Sequence, residues 1–187
     1  HEAPTIADTR ARLGIADEGP ALAHVVRTVH TAHGGKQSLA RVMRGRFADG
    51  AVVVGPDGDE NRIASLSRIV GATASKCPEA VEGDTLAFGR LDGLHTGQSF
   101  TEAKAGAPTP CVAYGERAVA VHALALAVKD RKDEVKLAAA LAKLSEEDGS
   151  LRFEHDSSGE MRLHGQGEMH LRVALERLAA RFGVEVG

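Results

Sequence analysis

Along the first hundred residues, apolar positions come in short runs parted by turn residues. PALAHVVRTV (20–29), QSLARVMRG (37–45), GAVVVG (50–55), NRIASLSRIVG (61–71) and DTLAFGRL (84–91) are rich in Val, Leu and Ile. Between them stand AHGG, FADG, GPDGDE, VEGD and LDGLHTGQ, built from the Gly, Pro and Asp that turns use. Short strands at regular spacing with turn signals between them predict a sandwich or barrel. Closure into a barrel removes the exposed edges that such strands would leave. In SLARVMRG the pleat sets Leu39, Arg41 and Met43 on one face and Ala40, Val42 and Arg44 on the other.

The second half has a different rhythm. RAVAVHALALAV (117–128) reads as a strand, and KDRKDEVKLAAALAKLSEED (129–148) as a helix with Val135, Ala138, Leu141 and Leu144 along one side. GSLRFEHD (149–156) and GEMRLHG (159–165) form a hairpin pattern around SSG. GEMHLRVALERLAARFG (167–183) is a second helix, with a stripe of Leu171, Ala174, Leu175, Leu178 and Phe182 and a stop at Gly183. VEVG then starts another strand. The order β-α-β-β-α-β predicts a ferredoxin-like α+β domain. TEAKAGAPTPCVAYGE (101–116) lacks periodicity and holds Pro108 and Pro110, the marks of a linker. The expected organisation is a connector over 1–19, an all-β barrel over 20–103, a linker over 104–116 and the ferredoxin-like domain over 117–187.

Composition narrows the chemistry. At 43% hydrophobic and 26% charged, the 187-residue chain is an ordinary globular one, and no apolar run is long enough to span a membrane. The first residue is His1, so the opening reads as part of a longer chain. Cys77 and Cys111 stand far apart with no CxxC spacing, which predicts two free thiols in a reducing cytosol and no zinc site. Charge is unevenly spread. From Ala21 to Ala48 there is no Asp or Glu, while Arg27, Lys36, Arg41, Arg44 and Arg46 fall within it beside His24, His30 and His33. Such a strip is either a footprint for phosphate or a solvated sheet face neutralised from elsewhere. One Tyr, five Phe and no Trp leave little for base stacking.

Two segments invite a catalytic reading. AHGGKQS (32–38) looks like the end of a phosphate-binding loop. Gln37 stands where Ser or Thr would hold Mg²⁺, and a strand follows rather than a helix, so it is read as a turn. LHGQGEMHL (163–171) puts His164, Glu168 and His170 close together in sequence. Ligands on one helix face need a spacing of three or four residues, and His164 and His170 are six apart across a turn. A stand-alone metalloenzyme on these three residues is the competing reading. The structural one has Gly165 and Gly167 supplying a tight turn, with positive φ if needed. Glu168 then complements the helix dipole, and His170 bridges to a neighbouring element.

GQGEMHLRVALERLAARFGVEV resembles the G-x-G-E-x-H-L segment in domain III of elongation factor G and its relatives, the ribosomal translocation GTPases. KDEVKLAAALAKLSEED is similar to that domain's first helix with its acidic triplet. AVEGDTLAFGRLDGLHTGQSF and GKQSLARVMRGRFADGAVV resemble two domain II segments of the same family. The resemblance runs from Pro20 to the end. Gly149, where the family has proline, Gln98, where it often has an acid, and the proline-free YGERAVAV mark a divergent paralogue.

The resemblance implies a domain II plus domain III piece of an elongation factor G-like GTPase, cytoplasmic and acting in translocation or ribosome recycling. The GTPase domain, with GTP and Mg, would precede residue 1, and further domains would follow residue 187. The piece itself would hydrolyse no GTP. Its partners would be the small-subunit ribosomal RNA and proteins, and the other domains of the same chain. Lys36, Arg41, Arg44 and Arg46 are the candidates for RNA contact, as phosphate contacts that position without reading sequence. Gly165, Gly167, Glu168 and His170 are the candidates for interdomain contact. From 119 to 187, ten Lys or Arg face twelve Asp or Glu, a balance suited to protein contact. The same architecture in a ribosomal-protection factor or in a release-factor-type GTPase, and a free-standing binding module, are the alternatives.

Overall fold

The computed structural model describes residues 4–31, 35–71, 73–105, 119–127, 133–155, 161–184 and 186. The chain divides into two compact units, His1–Tyr114 and Gly115–Gly187. From residue 106 on, the expected linker lies outside the described residues. Among the described residues, no helix is long and apolar enough to cross a membrane.

The first unit opens on a helix, α1 (Ile6–Leu13), inside the segment expected to be a connector. Thr5 and Asp8 form a capping box at its start, and Gly14, at φ 67°, closes its end. Ten strands follow. They are β1 (Leu22–Thr31), β2 (Gly35–Arg44), β3 (Arg46–Ala48), β4 (Val52–Val54), β5 (Glu60–Arg62), β6 (Ser65–Val70), β7 (Thr73–Lys76), β8 (Glu79–Val81), β9 (Thr85–Gly89) and β10 (Ser99–Glu102). Eight of them make one antiparallel sheet in the order β5-β4-β10-β1-β2-β9-β6-β7, and β3 pairs separately with β8.

The barrel is not closed, because β5 and β7 are edges that do not pair with each other. The sheet nevertheless coils strongly. β5 and β6 lie toward opposite ends of the order, yet only Ile63 and Ala64 separate them. The Ile63 amide donates to Ala51 O at 2.9 Å and the Ala64 amide to Gly89 O at 3.1 Å. A dipeptide therefore crosses the seam where a ladder would close a true barrel. The run 61–71, read in sequence as one strand, breaks at this crossing.

Phe47, Phe88 and Phe100 centre the core, with ring centroids 5.3 to 6.1 Å apart in edge and tilted contacts. Ala23, Val25, Ala40, Val42, Ile63, Leu66 and Leu86 pack around them with essentially no exposure. Of the two faces of β2, the one bearing Ala40 and Val42 turns inward.

The second unit follows the expected order: β11 (His122–Leu126), α2 (Asp133–Glu147), β12 (Arg152–His155), β13 (Met161–Gly165) and α3 (Glu168–Phe182). Its antiparallel sheet runs β11-β13-β12; of the last expected strand, Val186 forms a bridge, and residues 185 and 187 lie outside the described residues. The stripe of α3 is as read, with Leu171, Ala174 and Leu178 buried and Leu175 and Phe182 packed against them. That of α2 is not. Leu137, Ala140, Leu141 and Leu144 are buried, whereas Val135 is 80% exposed. A strict three-residue step drifts around a helix of 3.6 residues per turn, and the true stripe alternates steps of three and four.

Candidate functional site

The acid-free strip forms the β1–β2 ladder, in which His24 pairs with Arg41 and Arg27 with Leu39. Register shifts beside Leu22 and Val25 mark bulges at Met43 and Val26. They divide the basic residues in a way that alternation alone did not. Arg27, Leu39 and Arg41 share the outer face, with Arg27 exposed and Arg41 half-buried. The Arg41 guanidinium donates to Thr85 Oγ1 at 3.2 Å. Arg46, on β3, is exposed and stands 3.5 Å from Glu79.

Lys36 and Arg44 turn inward. Lys36 sits on the Ser38, Ala40 and Val42 face, the bulge at Met43 sets Arg44 opposite Leu22, and the two are 7% and 9% exposed. Lys36 Nζ donates to Asp92 O at 3.0 Å. Arg44 donates to three carbonyls, those of Ala16 at 2.6 Å, Glu18 at 2.9 Å and Pro20 at 2.8 Å. A buried charge must be hydrogen-bonded, and these two are met by backbone oxygens of their own unit. Two of the four candidates for phosphate contact are therefore held inside the fold.

The phosphate-loop lookalike fails its structural test. Gly35 and Lys36 begin a strand rather than a helix, and the ammonium is engaged in the fold. These residues do not fit GTP or Mg²⁺. His33 and Gly34 lie outside the described residues.

The turn around residue 165 resolves the other question. His164 lies on β13 and approaches Glu154 Oε1 at 3.0 Å without aligning as a hydrogen bond. His170 faces elsewhere. The Gln166 amide donates to its Nδ1 at 3.1 Å, so Nε2 carries the proton and donates to Asp148 Oδ2 at 3.0 Å. Glu168 stands exposed in the first turn of α3. The three supposed metal ligands thus have different surroundings. Among the described residues, no group of three or more His, Cys, Asp and Glu could hold a metal ion.

Burial works against ionisation of Asp148. Hydrogen bonds from the Ser150 side chain, from His170 and from the Ser150 amide outweigh it and hold the carboxyl below its usual range. The Asp148–His170–Gln166 chain ties the end of α2 to the start of α3. Asp148 is the partner that sequence reasoning did not name.

The glycines act differently from expectation. Neither Gly165 nor Gly167 takes a left-handed φ; Gly167 is extended at φ 168°. Gly165 is needed for room, since a Cβ there would meet Leu171 Cδ2 at 2.7 Å and His170 Nδ1 at 3.0 Å. A Cβ on Gly167 would meet nothing within 4 Å.

Comparison with known proteins bears on what such a surface serves. Residues 118–187 match the family model for elongation factor G, domain III. The chain is 37% identical over 180 residues to an "Elongation factor G-like protein" of Synechocystis sp., covering 96% of this chain and 25% of that protein. An "Elongation factor G-like protein" of Mycobacterium tuberculosis is 31% identical over 201 residues, covering 94% of this chain and 27% of the relative. A crystal structure of a Thermus thermophilus protein superposes with a TM-score of 0.79 at 32% identity, covering 98% of this chain and 27% of that one. The chain spans about a quarter of the length of these relatives.

Proposed function

Because the chain belongs to the elongation factor G-like proteins, with residues 118–187 as their domain III, we propose that it is the ribosome-binding, non-catalytic part of a translational GTPase. The first unit corresponds to domain II and meets small-subunit RNA through its outer β1–β2 face. The second unit meets neighbouring domains of the complete protein through the turn that carries Gly165, Gly167, Glu168 and His170. GTP and Mg²⁺ belong to the part of the complete protein that precedes this segment, and translocation or ribosome recycling is its task.

The observation that supports the RNA reading best is the division of the basic strip. Arg41 and Arg46 reach outward from a stretch without acids, while the fold itself occupies Lys36 and Arg44. Side chains of this kind bind backbone phosphate without reading bases. Arg27, which shares the outer face with Arg41, joins them. Lys36 and Arg44 act only by shaping the unit.

Cosedimentation with purified small ribosomal subunits tests this reading. The chain pellets with the subunits at low salt, and the doubly substituted Arg41→Ala/Arg46→Ala chain stays largely in the supernatant. Undiminished pelleting of that variant removes this face from the proposal.

A further inference from the structure

Residues 4–20 fold back on the first unit at one crossing built to fine tolerance. At Gly19 the backbone runs at φ +137°, and a Cβ would lie 2.7 Å from the Arg44 guanidinium. Gly45, beside Arg44, has φ +73°, and a Cβ there would lie 3.0 Å from the Ala21 Cα. Both conformations favour glycine, and two stretches of backbone can approach so closely only where side chains are missing. Arg44 gathers the carbonyls of Ala16, Glu18 and Pro20 in one planar fork.

A second arginine reaches back the other way. Arg10, on α1 and 8% exposed, donates to Met43 O at 3.1 Å and to the Glu82 carboxylate, and it holds Asp17 at 3.0 Å. Two neighbouring residues of β2, Met43 and Arg44, thus hold both ends of the segment. The apolar anchorage is slight. Arg10 is the only buried residue of α1, and Leu13 is 39% exposed.

We infer that residues 4–20 are a latched arm, fixed to the first unit by Arg44 and Arg10 and able to release as one piece while the sheet stays folded. A segment held by polar bonds to a rigid rim, and not by core packing, opens as a unit distinct from that core. Sequence preceding such an arm in a longer protein is carried rigidly while the latch is closed and freed when it opens. The inference goes beyond the ribosome reading and does not depend on it.

Hydrogen exchange read by mass spectrometry on the whole chain tests the latch. In Arg44→Ala, the amides of Thr9 and Arg10 in α1 and of Gly14 and Ile15 at its end exchange at least about tenfold faster, while β2, β9 and the second unit keep wild-type protection. Arg44→Lys, which keeps the charge but cannot span three carbonyls, falls between the two. Gly19→Ala, which drives a methyl into the guanidinium, repeats the effect. In the unsubstituted chain, low urea opens residues 4–20 together before the sheet, a result that stands even if a variant fails to fold. Unchanged exchange of α1 in Arg44→Ala overturns the inference. So does loss of protection in the arm and the sheet in parallel, either in a variant or in urea.

Discussion

In the first unit, the buried residues of β1 and β2 include His24, Lys36, Ser38 and Arg44 beside Ala23, Val25, Ala40 and Val42. In the second, the inward positions of α2, β13 and α3 are leucine, methionine and alanine. Among the described residues, every buried polar or charged side chain belongs to the first unit. Its polar groups act as keys. His24 Nδ1 meets Ser99 Oγ at 2.9 Å across β1 and β10, Lys36 fixes the loop after β9, and Arg44 fixes the arm. The second unit keeps its polar links at the periphery, where Asp148 meets His170 and Glu147 takes a two-pronged bond from Arg181 at 2.7 and 2.8 Å. Short strands that could slip in register need specific internal partners. A helical stripe on a small sheet is defined by apolar shape alone.

The largest effect expected from this contrast comes from its aromatic centre. Phe100→Ala removes a ring that touches both Phe47 and Phe88, and it should cost the first unit about 3–5 kcal/mol. Hydrogen exchange in urea, followed unit by unit, should show the second unit unchanged. A matching loss there would mean that the two do not unfold independently.

Next comes the turn of the second unit. Gly165→Ala should cost about 1–3 kcal/mol, because Leu171 and His170 must move aside. Gly167→Ala should lie within about 0.5 kcal/mol of the parent. Equal effects at both positions would return the explanation to backbone freedom.

The two units should also part company in acid. Burial lowers the His24 pKa from 6.5. Above that value, imidazole is neutral in both folded and unfolded chains. Below it the unfolded chain takes up a proton that the folded one resists, so first-unit stability falls as pH drops below 6.5. The lowered Asp148 carboxyl works in another window. Its contribution is full above the unfolded value of 3.8 and is lost as pH falls through the lower folded one. Urea titrations at stepped pH should show the first unit weakening before the second, and His24→Gln should flatten the earlier step.

The smallest effect belongs to the ion pair of Glu147 and Arg181. With the guanidinium 35% exposed, its removal by Arg181→Ala should cost about 0–1 kcal/mol.

What the sequence disclosed follows the same divide. The stripe of α3, its Gly183 stop and the hairpin of β12 and β13 were legible because each rests on a local period. The strand runs of the first unit were legible too, but β3, β7, β8 and β10 were not. They are three or four residues long and are defined by distant partners. The seam at Ile63 and Ala64, and the bulge at which Met43 and Arg44 are both buried, arise from curvature, which a single strand does not reveal. α1 announced itself through Thr5, Asp8 and Gly14, a cap and a stop hidden by reading 1–19 as a connector. At the candidate surface, the basic strip was visible as composition. Its sorting into outward and inward arginines required the fold.

The central claim, that outward arginines of the first unit bind ribosomal RNA, is tested most directly by the salt dependence of binding to the small subunit. Affinity should fall linearly on a log–log plot. Arg41→Ala and Arg46→Ala should each flatten the slope by about 0.7–0.9, the share of one phosphate contact. Binding that ignores salt, or a slope that both substitutions leave unchanged, would contradict it.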